Sequence, residues 1–174
     1  MVEHINEIAG VVVTAVLTSL AVGEFRRGIA HLEYFRAQFP MIAPLVGSLL
    51  VSILHTIQPD ILTGAITIAT NKFSFVRQCH RWLGALITVG LGASLAVTGL
   101  CAEIGMTIGK FVGTAISTII PGSKAPEKSS STSKNFALLQ SIIIAGAAAG
   151  VGANNDAPIT GMVYAIEVPQ IQNL

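Results

Sequence analysis

The sequence predicts an all-α integral membrane protein. Hydrophobic residues make up 52 % of its 174 residues and charged residues only 11 %, whereas soluble domains carry about 25 % charged residues to cover their surfaces. Long uncharged windows alternate with shorter apolar pieces that glycine and proline interrupt. With 10 basic and 9 acidic residues, the chain has no charge excess that would indicate a nucleic-acid partner.

The uncharged windows predict the longest helices. Windows without Asp, Glu, Lys or Arg are Ile8–Gly23, Ala37–Pro59, Trp82–Ala102 and Asn135–Asn155. Crossing a bilayer core takes ~20 apolar residues, so the last three qualify, and the first qualifies if its helix continues past Glu24. We predict helices at Ile8–Phe35, Pro40–Ile57, Trp82–Thr98, Glu103–Ile119, Asn135–Ala153 and Pro158–Val168.

The shorter apolar pieces predict helices that do not cross the bilayer alone. These pieces are Ile61–Asn71, Ile104–Ser123 and Ala157–Ile166. Such pieces are typical of re-entrant or broken helices, which occur at membrane depth where protein surrounds them. We expect one membrane domain over residues 1–174, with a polar, mobile loop at 122–134.

Glycines at every fourth position predict close helix packing. Gly105, Gly109 and Gly113 form one such stripe, and Gly146 and Gly150 form a second. In membrane helices, small residues at this spacing let a second backbone approach closely. We favour packing within this chain, and homodimerisation through one stripe is the alternative.

No arrangement of residues predicts an enzyme, a bound metal or a required cofactor. Cys79 and Cys101 lie far apart without histidines at ligand spacing, so neither a disulfide framework nor a structural zinc site is expected. The four histidines are scattered, and we interpret His55 as structural rather than as a ligand.

Two carboxylates each have two interpretations. Glu103 would open the helix predicted at Glu103–Ile119, where the helix dipole favours negative charge. It could instead be an ionisable group at membrane depth, which marks a functional position. Asp156 would cap the helix that begins at Pro158. We favour capping for both.

Two Thr-Gly pairs stand where helices are expected to start. They are Thr63-Gly64 and Thr98-Gly99. Each start leaves backbone N–H groups and one hydroxyl available, and several such helix N-termini together can bind an anion without a buried cation.

Several segments resemble the CLC family of chloride channels and transporters. Gly146–Gly150 followed by Asn155–Glu167 is similar to that family's GAAAG…NAPLAG…IE signature, and Glu103–Lys110 is similar to the QIGxxIGR segment that follows its GREGP motif. Pro44–Gly47 and Thr63–Ile66 correspond in order to the family's PxxGG and GSGIP motifs. The resemblance covers most of the chain.

The resemblance implies the fold of the first inverted repeat of a CLC protein. Its spanning and re-entrant helices have unequal lengths, and anions bind where helix N-termini converge. By resemblance, Thr63, Gly64, Thr98 and Gly99 take part in anion binding, with chloride as the expected anion. The family also implies a homodimer.

The sequence departs from the family at the positions that handle protons. Thr98 stands at the gating-glutamate position, and Val168 stands at the proton-glutamate position just after Glu167. Ile66 replaces the proline of the GSGIP motif. The second repeat, with its GxFxP motif and pore tyrosine, does not occur in these 174 residues.

Two functions follow from the resemblance. The favoured one is a transport-impaired half-scaffold that acts as an accessory or structural subunit of a larger membrane complex. Its partners would be other membrane subunits or a missing C-terminal half. The alternative is an anion channel of the voltage-gated chloride channel type without proton coupling, whose second half is missing from this chain. An organellar membrane, for example the chloroplast thylakoid, is one expected location.

Overall fold

All described segments of the protein are helical. The computed structural model describes residues 2–57, 75–93, 97–119 and 132–171, without the side chains of 2–7, 117–119, 132–138 and 168–171. The helices are α1 Val2–Gln38, α2 Ile42–Ile57, α3 Phe75–Gly90, α4 Val97–Ile119, α5 Thr132–Asn154 and α6 Pro158–Ile171. For these residues the all-α prediction is confirmed. The predicted segment Ile61–Asn71 lies outside them.

The helix predicted at Trp82–Thr98 is wrong. Helix α3 occupies Phe75–Gly90 and closes in a left-handed turn, in which Gly92 has a φ of 138° and the Ala93 N–H donates to the Thr88 carbonyl at 3.0 Å. This is the Schellman arrangement, which glycine permits at low steric cost. The uncharged window therefore contains the end of one helix and the start of the next.

Two helices begin earlier than the positions of the charged residues predicted. Arg81 directly precedes the uncharged window that begins at Trp82, yet both Arg81 and Arg77 lie within α3, because arginine is a good helix former. Helix α4 begins at Val97, six residues before the predicted start at Glu103. Of the loop predicted at 122–134, residues 122–131 lie outside the described part of the chain, and 132–134 form the first turn of α5.

Two helices are long and apolar enough to cross a bilayer among the described residues. They are Ile8–Gln38 within α1 and Val97–Ile116 within α4. The prediction that the region from Ile104 onward is too short to cross is therefore wrong, because the helix begins earlier. Helix α2 has only 16 residues, fewer than the ~20 that span a hydrocarbon core.

The chain divides into two compact units. The central unit is Gly23–Leu100, and the terminal unit combines Met1–Val22 with Cys101–Leu174. In the central unit, a Cβ added at Gly28 would lie 2.6 Å from Leu86, and one at Gly47 would lie 3.0 Å from Leu91. Helix α3 thus packs against the second half of α1 and against α2.

The terminal unit contains the first half of α1 together with α5, α6 and nearly all of α4. Gly10 of α1 lies against Ile116 and Ile142, and Gly161 of α6 lies against the backbone of Ala148. The fully buried large side chains of this unit include Ile104, Ile142, Val22 and Val151. Burial of such aliphatic side chains is the main favourable contribution to packing.

The turn between α5 and α6 is left-handed at Asp156. Its φ is 51°, and the Ala157 N–H donates to the Gly152 carbonyl at 3.0 Å. Helix α6 begins at Pro158, as predicted, so Ala157 rather than Asp156 occupies its N-cap position. The capping interpretation of Asp156 is therefore wrong, because this residue closes α5 instead.

We expect Asp156→Gly to be more stable than Asp156→Ala. Both variants lose the carboxylate equally, but only alanine must keep its Cβ in the left-handed region, which costs roughly 1–2 kcal/mol. Thermal unfolding of the two purified variants in detergent measures the difference. Equal midpoints would contradict the left-handed conformation.

Candidate functional site

The closest packing in the terminal unit joins α4 to α5 through glycine. A Cβ at Gly105 would collide with the carbonyl oxygen of Gly146, and a Cβ at Gly146 would collide with that of Gly105. The contact is therefore reciprocal and lies between two backbones. Such an approach is typical of membrane helices, where dispersion and weak Cα–H···O contacts contribute to association.

Helices α4 and α5 also lie close together on both sides of the Gly105–Gly146 contact. A Cβ at Gly150 would meet the carbonyl of Cys101, and one at Gly109 would lie 2.6 Å from the carbonyl oxygen of Ile142. Gly113 faces a side chain instead, Leu139, at 2.6 Å. The two glycine stripes thus face each other across an antiparallel pair of helices.

Helix α4 also carries Thr98 and Gly99 in its first turn. Thr98 is partly buried, and among the described residues no atom beyond the neighbouring backbone of α4 lies within 4 Å of the place where a Cβ on Gly99 would stand. The first backbone N–H groups of a helix have no partner within that helix, and the helix dipole makes this end favourable for negative charge.

For the other residues that the resemblance assigns a role, the structure gives no side-chain position. Thr63 and Gly64 lie outside the described residues. Val168 falls within α6, but its side chain is outside the described part. Of the four residues that the resemblance assigns to anion binding, the structure describes Thr98 and Gly99, and both lie at the start of α4.

Glu103 is buried inside α4 rather than placed at its start. It is only 5 % exposed, and its backbone carbonyl accepts a hydrogen bond of 2.8 Å from the Thr107 hydroxyl. The capping interpretation is wrong, because α4 begins six residues earlier. A buried carboxylate in a helix that can cross a bilayer is the functional alternative considered for this residue.

Two buried hydroxyls were missed by the sequence analysis. Thr14 and Thr18 of α1 are fully buried, and neither hydroxyl oxygen has a hydrogen-bond partner among the described residues. The Thr14 methyl lies 3.2 Å from the place where a Cβ on Gly146 would stand. Their four-residue spacing on an apolar helix was the available signal, since it puts both on one face.

The described part of the chain shows no metal-ligand cluster. No three His, Cys, Asp or Glu side chains come together there. Neither Cys79 nor Cys101 forms a disulfide within the described residues, and the Cys101 thiol donates to the amide oxygen of Asn154 at 3.5 Å. His55 lies exposed on α2.

These features define a class of protein: an all-α chain with long apolar helices that pack through glycine backbones, as membrane helices do. A family model described as voltage gated chloride channel matches residues 63–172, which is well over half of the chain. The protein belongs to the voltage-gated chloride channel (CLC) family, which confirms the resemblance and supports a CLC-like membrane transport protein. No curated protein and no solved structure matches the chain.

We expect Gly146→Ala to destabilise the protein by about 1–3 kcal/mol, the usual cost of overpacking a core. The new methyl group would meet a backbone carbonyl, which cannot rotate away as a side chain can. Unfolding in detergent, followed by circular dichroism, measures the change.

Gly23→Ala is the matched control. No atom lies within 4 Å of its added Cβ, and replacing glycine inside a helix by alanine stabilises by about 0.5–1 kcal/mol. If both variants shifted stability in the same direction, the backbone contact between α4 and α5 would be refuted.

Proposed function

We propose that this protein moves anions passively as a CLC-type membrane protein, without coupling their movement to protons. The observation that carries the proposal is the position of Thr98 in the first turn of α4, next to Gly99. A second contributor to the anion path is expected, because one helix start supplies only part of a binding site.

The first turn of α4 has the groups that an anion requires. The first N–H groups of a helix have no acceptor within that helix, and the helix dipole adds a partial positive charge at this end. Thr98 adds a hydroxyl, a group that can donate a hydrogen bond to an anion. None of these groups needs a buried lysine or arginine.

Thr98 also explains why proton coupling is not expected. A threonine hydroxyl does not ionise at physiological pH, whereas a glutamate carboxyl at this position could lose and regain a proton and carry a charge. Glu103 is the remaining acidic residue of α4, but it is buried 5 positions further along the helix. We propose no role for it in anion movement.

Liposomes containing the protein should show chloride flux that drives no uphill proton movement. The expectation follows from Thr98 and Val168, which replace the two carboxylates of proton-coupled relatives by resemblance. Chloride efflux and external pH, recorded together under a chloride gradient, test it. Proton pumping that Glu103→Gln abolishes would contradict the proposal and assign the coupling to Glu103.

Thr98→Glu should make the chloride flux depend on pH. A carboxylate there would compete with the anion while ionised and stop competing when protonated, so flux should fall as pH rises through its titration range. Thr114→Glu is the control, since it introduces the same change at an exposed position on the same helix. If the two pH profiles matched, Thr98 would not line the anion path.

A second candidate is a non-conducting accessory subunit of a membrane complex. It is favoured by the exposed apolar stripe of α6, formed by Ile159, Met162, Val163 and Ile166. Such a stripe can face either lipid or another polypeptide, including a second copy of this chain. This candidate keeps the close packing of α4 on α5 but requires no anion path.

The mass of the purified protein and its flux separate the two candidates. An accessory subunit should copurify with other membrane polypeptides in mild detergent and should conduct nothing in liposomes by itself. Size-exclusion chromatography with light scattering measures the mass. A chain that is stable without other polypeptides and conducts chloride would contradict the accessory role and support the channel.

A further inference from the structure

We propose that helices α1 and α4 bend at Gly23 and Gly99, so that the central unit moves as one body relative to the terminal unit. The chain crosses from one unit to the other after Val22 and again after Leu100. Both crossings lie inside a helix, the first in α1 and the second in α4. A movement of one unit relative to the other therefore has to bend both helices.

Gly23 at the first crossing is not used for packing. A Cβ at Gly10 would lie 2.7 Å from Ile116, and one at Gly28 would lie 2.6 Å from Leu86, so these two glycines of α1 make room for neighbouring helices. Among the described residues, a Cβ at Gly23 would meet no atom within 4 Å beyond the neighbouring backbone of α1. The missing side chain at Gly23 therefore has no packing role.

Gly99 at the second crossing shows the same contrast within α4. Gly105 and Gly109 make room for the backbone of α5, whereas a Cβ at Gly99 would meet no described atom within 4 Å outside the neighbouring backbone of its own helix. Gly99 is also exposed. Glycine inside a helix is less favourable than alanine, because it loses more conformational freedom on folding. Each crossing is thus weakened at a position where packing among the described residues does not require glycine.

A second, independent feature weakens α1 at its crossing. The Ser19 hydroxyl donates to the carbonyl of Ala15 at 2.9 Å, and Ser19 lies one turn before Gly23 on the same face of the helix. A hydroxyl that bonds to the carbonyl four residues earlier competes with the N–H of the helix backbone and often bends the helix. The region from Ser19 to Gly23 is therefore the part of α1 that we expect to bend.

Buried residues limit where the two helices can bend. In α1, Val22 of the terminal unit is fully buried, and Phe25 of the central unit is only 7 % exposed. In α4, the carbonyl of Cys101 lies against Gly150, and its thiol donates to Asn154 at 3.5 Å. Each bend is therefore confined to a few residues, as is typical of hinges between moving bodies.

The hinge at Gly99 separates the first turn of α4 from the rest of that helix. Residues up to Leu100, including Thr98, belong to the central unit, and residues from Cys101 onward belong to the terminal unit. Bending would change the direction of the first N–H groups of α4. The consequence for anion movement rests on the proposed function, whereas the bending itself does not.

Distances between two spin labels, one in each unit, test the bending by pulsed electron paramagnetic resonance in lipid nanodiscs. Tyr34→Cys and Ile159→Cys carry the labels, because these side chains are 69 % and 73 % exposed. Cys79→Ser removes the more accessible native thiol, and Cys101 is fully buried. Labelled protein is diluted with unlabelled protein, so that only distances within one chain are measured. We expect two populated distances.

Gly23→Ala and Gly99→Ala should both favour the same distance, that of the unbent helices. Each variant should change the ratio of the two populations by up to about fivefold, which is the helix-propensity difference between glycine and alanine expressed as a ratio. The two effects should multiply in the double variant. Thr114→Ala is the matched control, since it also raises helix propensity at an exposed position of α4 away from both crossings, and it should leave the ratio unchanged.

A single narrow distance in the parent protein would overturn the proposal. Two distances that ignore both glycine variants, or that respond equally to Thr114→Ala, would overturn it as well. Labels at Tyr34→Cys and Leu49→Cys, both in the central unit, should show one distance, and two distances there would mean that this unit is not one body. Responsive distances in a protein without chloride flux would support the hinge and contradict the proposed function, so the two failures are distinguishable.

Discussion

The contact between the backbones of Gly105 and Gly146 is the constraint on which the terminal unit depends. Each glycine leaves room for the carbonyl of the other, so α4 and α5 lie closer than side chains would allow. Thr14 of α1 reaches the same place, since its methyl group borders Gly146. Three helices of the terminal unit, α1, α4 and α5, therefore share one contact.

The polar groups that this packing encloses distinguish the protein from a purely apolar bundle. Glu103 and Thr107 are buried on α4, and Thr14 and Thr18 are buried on α1. Burying polar groups costs free energy unless they find hydrogen-bond partners. In the described part of the chain, these groups lie on the two helices that are long and apolar enough to cross a bilayer.

Helix content and close glycine packing could be predicted from local patterns, because each depends on residues near one another in sequence. The start of α4 could not, since an uncharged window does not show where one helix ends and the next begins. Gly92 marks the end of α3, but a single glycine in a sequence does not show that a helix ends there until its φ is known. The burial of Glu103 depends on helices distant in sequence.

The division of α1 between the two units has a consequence for the order in which the units fold during synthesis. The central unit is contiguous, Gly23–Leu100, whereas the terminal unit joins Met1–Val22 to Cys101–Leu174. A ribosome makes the first half of α1 early, but its partners in α4 and α5 emerge only much later. Domains fold as units when their residues become available. Once the residues up to Leu100 are available, the central unit can therefore fold. Thr14 and Thr18 become buried only later, when α4 and α5 have been made.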